Sequence, residues 1–276
     1  MARISSNDAS VEINGVALEG VQSINLDYAL DSFEFSSLGS VYYQELISAV
    51  SEKKTSTFNV VYHAHLGGYD LLASDDKISI ERFIPKVNKI TFSCKEGGFE
   101  LENCYVTSVN LSSEIGGFLK YNLTFECDEP KTITSEFTET QYTIADGPEF
   151  FYYKGSTVGG VFLGKCVQSF SLSVDIPRKI IKPFGLNAIT SRQPETPILG
   201  SLNVEINKGG DFIDITPITK NLLIDQSFVF NALGYKGGSL NYTVNLLRYK
   251  SITESLELDG TATNSVVYDL FLAAPA

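Results

Sequence analysis

The chain has 276 residues, of which 43% are hydrophobic and 12% aromatic, with 14 Tyr, 18 Phe and no Trp. This apolar content supplies ordinary cores for one large or two small domains, and a charged fraction of 20% excludes a disordered chain. A net charge of −12 and a pI near 4.7 repel phosphate, which argues against sequence-specific nucleic-acid binding.

The N-terminal stretch MARISSNDAS lacks the apolar core of a signal peptide. No later run approaches the roughly 18–20 apolar residues that span a bilayer, so neither a leader nor a membrane anchor is expected. VEINGVAL and VQSINLDY then alternate with period two and read as strands. The next segment, VYYQELISAVSEKK, is the one clear helix by pattern. Tyr43, Leu46, Ile47 and Val50 recur at helical spacing, Ser40 suits an N-cap, and Lys53 and Lys54 suit the negative end of the dipole. STFNVVYHAHL, KISIERFI, NKITFSC, YVTSVNLS and LKYNLTFEC return to strand alternation. Past the middle come FFYYKG, VQSFSLSVDI, SLNVEIN, QSFVFNAL, SLNYTVNLL and NSVVYDLFL, with a short helical turn expected after Pro217, capped by Thr216. The fold class is therefore mainly β, in antiparallel strands.

Two phrases occur twice. VQSINL begins at Val21 and VQSFSL at Val167. GGFLKYNLTF begins at Gly116 and GGSLNYTVNL at Gly237, so Gly116-Gly117 and Gly237-Gly238 are read as matching hairpin turns, where glycine accepts a positive φ without steric cost. The shared order predicts two related β domains, residues 1–128 with an N-terminal arm and residues 151–276. The Thr- and Glu-rich segment 129–150 between them reads as a linker or an exchanged edge strand. Asp175–Leu199 holds four prolines and little periodicity, and loops of this length in compact domains are usually functional. Its Arg178, Ile180, Ile181, Phe184, Ile189 and Ile198 have no evident place in a monomer's core, which marks them as an inter-subunit surface.

Motifs that carry chemistry are sparse. GGVFLGKC (Gly159–Cys166) fits the first part of a phosphate-binding loop, but Cys stands where Ser or Thr holds Mg²⁺, and a strand rather than a helix follows. It is read as a glycine-rich turn. His63 and His65 share one strand face and could hold a metal, but no spacing nominates further ligands. Cys94, Cys104, Cys127 and Cys166 have no CxxC spacing and read as reduced, half-buried thiols. No Gly-x-Ser-x-Gly elbow is present, and Asp75-Asp76 and the scattered glutamates read as solvated faces. No catalytic residue, cofactor or metal is expected, and the chain is not read as an enzyme.

The stretch VQSFSLSVDIPRKIIKPFGLNA, the hairpin Asp225–Leu247 and its first-half counterpart YVTSVNLSSEIGGFLKYNLTFE together resemble bacteriophage tail-tube proteins, over about a third of the chain. The resemblance implies tube-like β-sandwich or half-barrel domains flanked by a helix. It also implies subunits that close into rings and stack into a conduit for DNA, alongside other phage tail proteins. On that reading the protein is a structural component of the virion, made in the host bacterial cytoplasm, with rings of three or six chains and an acidic wall that lets DNA pass without binding it. Two alternatives stay open: a single-ring baseplate or tail-tip component, and a β-sandwich receptor-binding or adhesin module.

Overall fold

The computed structural model describes residues 9–29, 32–33, 49–50, 55–66, 68, 88–95, 97–134, 149–158, 161–162, 167–181, 191–195, 198–207, 226–256 and 262–272. The alternation seen in the sequence becomes antiparallel strand throughout. The first half holds β1 (Ala9–Ile13), β2 (Val16–Leu18), β3 (Val21–Ala29), β4 (Ser32–Phe33), β5 (Ala49–Val50), β6 (Thr55–His63), β7 (Asn88–Cys94), β8 (Gly97–Glu114), β9 (Lys120–Cys127) and β10 (Lys131–Ile133). The second holds β11 (Phe151–Val158), β12 (Val161–Phe162), β13 (Val167–Asp175), β14 (Arg178–Ile181), β15 (Ser191–Pro194), β16 (Ile198–Asn207), β17 (Gln226–Gly234), β18 (Ser239–Leu256) and β19 (Ala262–Leu272).

The pairing scheme repeats. In the first half β3 pairs β6, β6 pairs β9, β9 pairs β8, β8 pairs β7, β7 pairs β1 and β1 pairs β2. The second half follows the same path: β13 to β16, β19, β18, β17, β11 and β12. A two-stranded ribbon follows the VQS strand in each, β4 with β5 and β14 with β15. Only β10, which pairs β8, lacks a counterpart among the described residues.

Irregularities repeat with the pairing. The VQS phrase is a β-bulge both times: the register shifts between Val21 and Ser23 on β3 and between Val167 and Ser169 on β13. The two 18-residue strands, β8 and β18, each shift against the preceding strand, between Leu101 and Cys104 and between Val244 and Leu247. Each shifts again against the following strand, between Val106 and Ser108 and between Tyr249 and Ser251. Bulges bend a strand and raise its local twist, so these positions turn each long strand from one layer into the other. On β8 the bend includes Asn103, held at φ 50.

The core lies between the two layers. β6, β9 and the later part of β8 supply Phe58, Val60, Tyr62, Leu123, Phe125, Val109 and Leu111, and β1, β7 and the earlier part of β8 cover them with Val11, Ile13, Ile90 and Leu101. Phe58 meets Phe99 edge-on across the layers at 6.2 Å. In the second half Phe170 packs against Phe230 at 4.6 Å and Phe228 at 5.9 Å, with the rings tilted rather than edge-on. The halves are joined edge to edge, because β13 pairs the outer side of β8 from Ser169 opposite Glu114 to Asp175 opposite Ser108.

Three expectations change. The glycine pairs Gly116-Gly117 and Gly237-Gly238 occupy different places: the first closes the β8–β9 hairpin and the second the β17–β18 hairpin. The pairing counterpart of Gly237-Gly238 is Gly97-Gly98 at the β7–β8 connection, and Gly97 and Gly237 both have positive φ, 128° and 97°. A hairpin returns on itself wherever glycine permits, so the local phrase matched without the topology. The expected helix lies outside the described residues except for Ala49 and Val50, which form β5 opposite Phe33 and Ser32. Ile198 is fully buried in the core at the start of β16, not at a surface. The turn of helix after Pro217 lies outside the described residues, as do Gly159, Gly160 and Leu163–Cys166.

Candidate functional site

The sheet turns a largely polar face away from the core, and this face crosses both halves with Val61, Leu199 and Val267 as apolar members. Strand alternation dictates its composition: while Val109, Leu111, Phe170, Leu172, Leu202 and Val204 point inward, the residues between them point out. The rows run across strands. Asn59, Thr124, Ser108 and Asp175 stand side by side, followed by Asn122, Asn110, Ser173 and Ser201, and then by His63, Lys120, Ser112, Ser171 and Asn203. Short polar side chains at these spacings bond to one another. Asn59 Nδ2 donates to Asn122 Oδ1 at 2.7 Å and to Thr124 Oγ1 at 3.0 Å. Ser108 donates to Asp175 at 2.9 Å, and Asn110 donates to Ser171 at 3.2 Å across the junction of the halves.

A shallow groove of about 460 Å³ lies on this face, lined by His63, Glu114, Phe118, Lys120, Ser171 and Asn203 among others. Its histidine is held below the ordinary value of 6.5 by burial, and secondarily by the charge of Lys120. His65 is also lowered, again chiefly by burial. The His65 ring is committed: Nε2 accepts the Glu19 amide N–H at 3.1 Å, which leaves the proton on Nδ1, 3.3 Å from the Leu66 carbonyl. Both rings pack in an aromatic cluster with Phe118 and Phe150. The pair the sequence offered as metal ligands therefore holds the end of β6 against the start of β11. Among the described residues, no three His, Cys, Asp or Glu side chains converge as a metal site would require. Cys94, Cys104 and Cys127 are free and buried, and burial beside Cys104 pushes the Cys127 thiol far up.

The loop marked as an inter-subunit surface docks partly on its own chain. β14 and β15 form a ribbon whose two arginines anchor it to the bend of β8. Arg178 donates through Nε and Nη2 to the Val106 carbonyl, both at 2.8 Å, and its guanidinium lies over the Tyr105 ring at 5.3 Å. Burial lowers it to about 10. Arg192, only 3% exposed, donates to Glu126 at 2.7 Å and to Asp128 at 3.0 Å. Burial opposes its charge, but these two carboxylates outweigh burial and hold it above its ordinary value. Only the backbone of Ile180 and Ile181 is described, opposite Arg192 and Ser191. Phe184 and Ile189 lie outside the described residues.

Sequence reasoning missed Arg192, and also Glu149. The Glu149 carboxylate accepts the amides of Lys236 and Gly238, both at 2.9 Å, and so closes the β17–β18 turn. A β-carbon on Gly234 would sit 2.1 Å from that carboxylate, which explains the glycine. A lone acid in a Thr- and Glu-rich segment gave no signal of this role.

The borders of the polar sheet differ. β3 pairs β6 on one side and no other strand among the described residues, and most of its residues are exposed. β18 from Ser251 to Leu256 pairs β19 on one side and likewise nothing described on the other. No protein-family model and no curated protein matches the chain.

Proposed function

We propose that this chain is a structural virion protein: the repeating subunit of a phage tail tube, built from two related tube-like β domains and assembling into stacked rings around a DNA conduit. The observation that carries the reading is the repeated pairing scheme combined with two borders, at opposite ends of one polar sheet, that no described strand covers. An unpaired strand edge is a row of unmet donors and acceptors, and a chain that leaves one at each end is suited to head-to-tail association that closes. Each chain contributes β3, β6, β9, β8, β13, β16, β19 and β18 to that sheet. Three chains would supply about 24 strands, more than the roughly 16–18 that already leave an aqueous channel in a closed barrel. With two units per chain, such a ring has pseudo-sixfold symmetry. The polar face would line the lumen, where hydroxyls and amides already bonded to one another, amid the −12 charge of the chain, give phosphate little to hold.

Electron microscopy of the purified recombinant chain tests the reading. Hollow rings or tubes are the expected result, and a preparation of dispersed monomers across concentration and salt would reject it.

A further inference from the structure

Resting on that ring-forming reading, we propose that the outer edge of β3 in one copy pairs antiparallel with Ser251–Leu256 of β18 in a second copy, with Asn25 opposite Ser255 and Asp27 opposite Thr253. The template lies within the chain. β13 is the strand equivalent to β3, β8 is the strand equivalent to β18, and β13 already pairs the edge of β8 that on β18 carries no described strand.

The register follows from pairings alone. Ser23 stands opposite Val61, Val61 opposite Asn122, and Asn122 opposite Asn110. In the second half Ser169 stands opposite Glu205, Glu205 opposite Ser265, and Ser265 opposite Thr253. Thr253 is therefore the counterpart of Asn110. Asn110 faces Ser173, which holds the place in its VQS strand that Asp27 holds in the other. The bulges confirm the alignment, since Thr107 and Lys250 are the skipped residues at matching places.

Burial shows what the second copy would cover. Phe170 and Val174 on β13, beneath β8, are 2% and 0% exposed, whereas Ile24 and Tyr28 at the same positions of β3 are 36% and 39% exposed. Both point to the core side, opposite the buried Val60 and Ser56. They lie on the core side of an edge that no described strand covers, where the Tyr28 hydroxyl donates to Glu129 at 3.0 Å. One position departs from the template: Glu254 stands where β8 has Leu111. Its neighbour on β19 is Asn264, a buried amide with no hydrogen-bond partner among the described residues, so this part of the joint is polar.

The template also shows where a cross-link fits. The Ile115 amide donates to the Gln168 carbonyl and the Ile176 amide to the Thr107 carbonyl, both at 2.7 Å. These bonds make Ser112–Ser171 and Asn110–Ser173 the non-hydrogen-bonded pairs, with Cα atoms about 4.5 Å apart, within the range a disulfide spans. Their counterparts are Asn25–Ser255 and Asp27–Thr253, all four exposed.

The test uses the full chain with Cys166→Ser, leaving only the buried thiols Cys94, Cys104 and Cys127. Asn25→Cys with Ser255→Cys is assembled, oxidised mildly and run on a non-reducing gel. The expected result is a covalent ladder of dimers and larger species at least about tenfold above either single variant, because the thiols face each other at millimolar effective concentration. Asn25→Cys with Ser251→Cys, four residues out of register, should stay monomeric. Asp27→Cys with Thr253→Cys repeats the reading two residues along. Assembled particles without the ladder in both in-register pairs overturn this joint and leave the ring reading intact. Dispersed double variants under conditions where the parent assembles overturn it too, since the spacing admits cysteine. A parent chain that never assembles rejects the ring reading itself.

Discussion

β3 and β13 share a phrase, a bulge and an equivalent partner on one side, yet the aromatic and aliphatic residues on their core faces have opposite fates. Phe170 and Val174 are sealed beneath β8, while Ile24 and Tyr28 are partly exposed at a border that no described strand covers. The difference teaches that burial here belongs to the neighbour rather than to the strand: the same alternating sequence makes a core strand or an edge depending on what is placed beside it. On the proposed joint, a core-facing residue exposed on an edge marks where a neighbouring strand would lie, and marks it more sharply than the proline-rich loop, whose two arginines bond inside the chain.

The comparison can be broken at the matched pair itself. Phe170→Ala should cost about 4 kcal/mol, as expected for truncating a buried aromatic, whereas Ile24→Ala in dispersed protein should cost less than about 1 kcal/mol. Urea unfolding measures both, and equal costs would mean that β3 is already covered within one molecule. Next in size, Arg192→Leu should cost about 3 kcal/mol, because it strands Glu126 and Asp128 beside a buried site; this tether has no counterpart in the described first half. A change at that position within the scatter of exposed substitutions would remove the ribbon's anchor from the account. Glu149→Ala and Gly234→Ala should each cost about 2 kcal/mol by leaving the turn amides unmet or by forcing the carboxylate aside. Thermal unfolding of Glu149→Gln, which keeps an acceptor, should fall between parent and Glu149→Ala.

The smallest effect is a pH dependence confined to the join of β6 and β11. His63 and His65 titrate below 6.5 in the folded chain, so the unfolded chain binds more protons near and just under that value. Stability should therefore be complete above about pH 6.5 and fall as pH drops through the window beneath it. His65→Gln retains an acceptor for the Glu19 amide and cannot titrate, so its melting temperature should fall less over the same interval. An unchanged slope would mean that His65 binds protons alike in the folded and unfolded chain.

Most of the strands were legible because period-two alternation reports one buried face directly. The VQS echo was legible for the same reason: Val, Gln and Ser form a bulge in both copies, and a bulge constrains its residues. A second echo was present and unread. VAL at Val16–Leu18 and VFL at Val161–Leu163 each follow a glycine and precede VQS, whereas the glycine pair at Gly116 matched its partner by hairpin chemistry alone. Of the candidate surface, the sequence indicated the loop but neither border. Ile198 shows why: an isoleucine after prolines looks displaced until β16 is seen to start with it.

By itself, the amino-acid sequence determined the strands, their inward and outward residues and the fact that something is repeated, since these follow from local sterics and from alternation along one strand. Only the tertiary structure decided which strands are neighbours, that β8 and β18 change partners at a bend, and that the repeated unit is joined on one edge and meets no described strand on the other. Pairing is a contest among distant segments with similar alternation, and it is settled by bulges, register and packing that no short stretch contains.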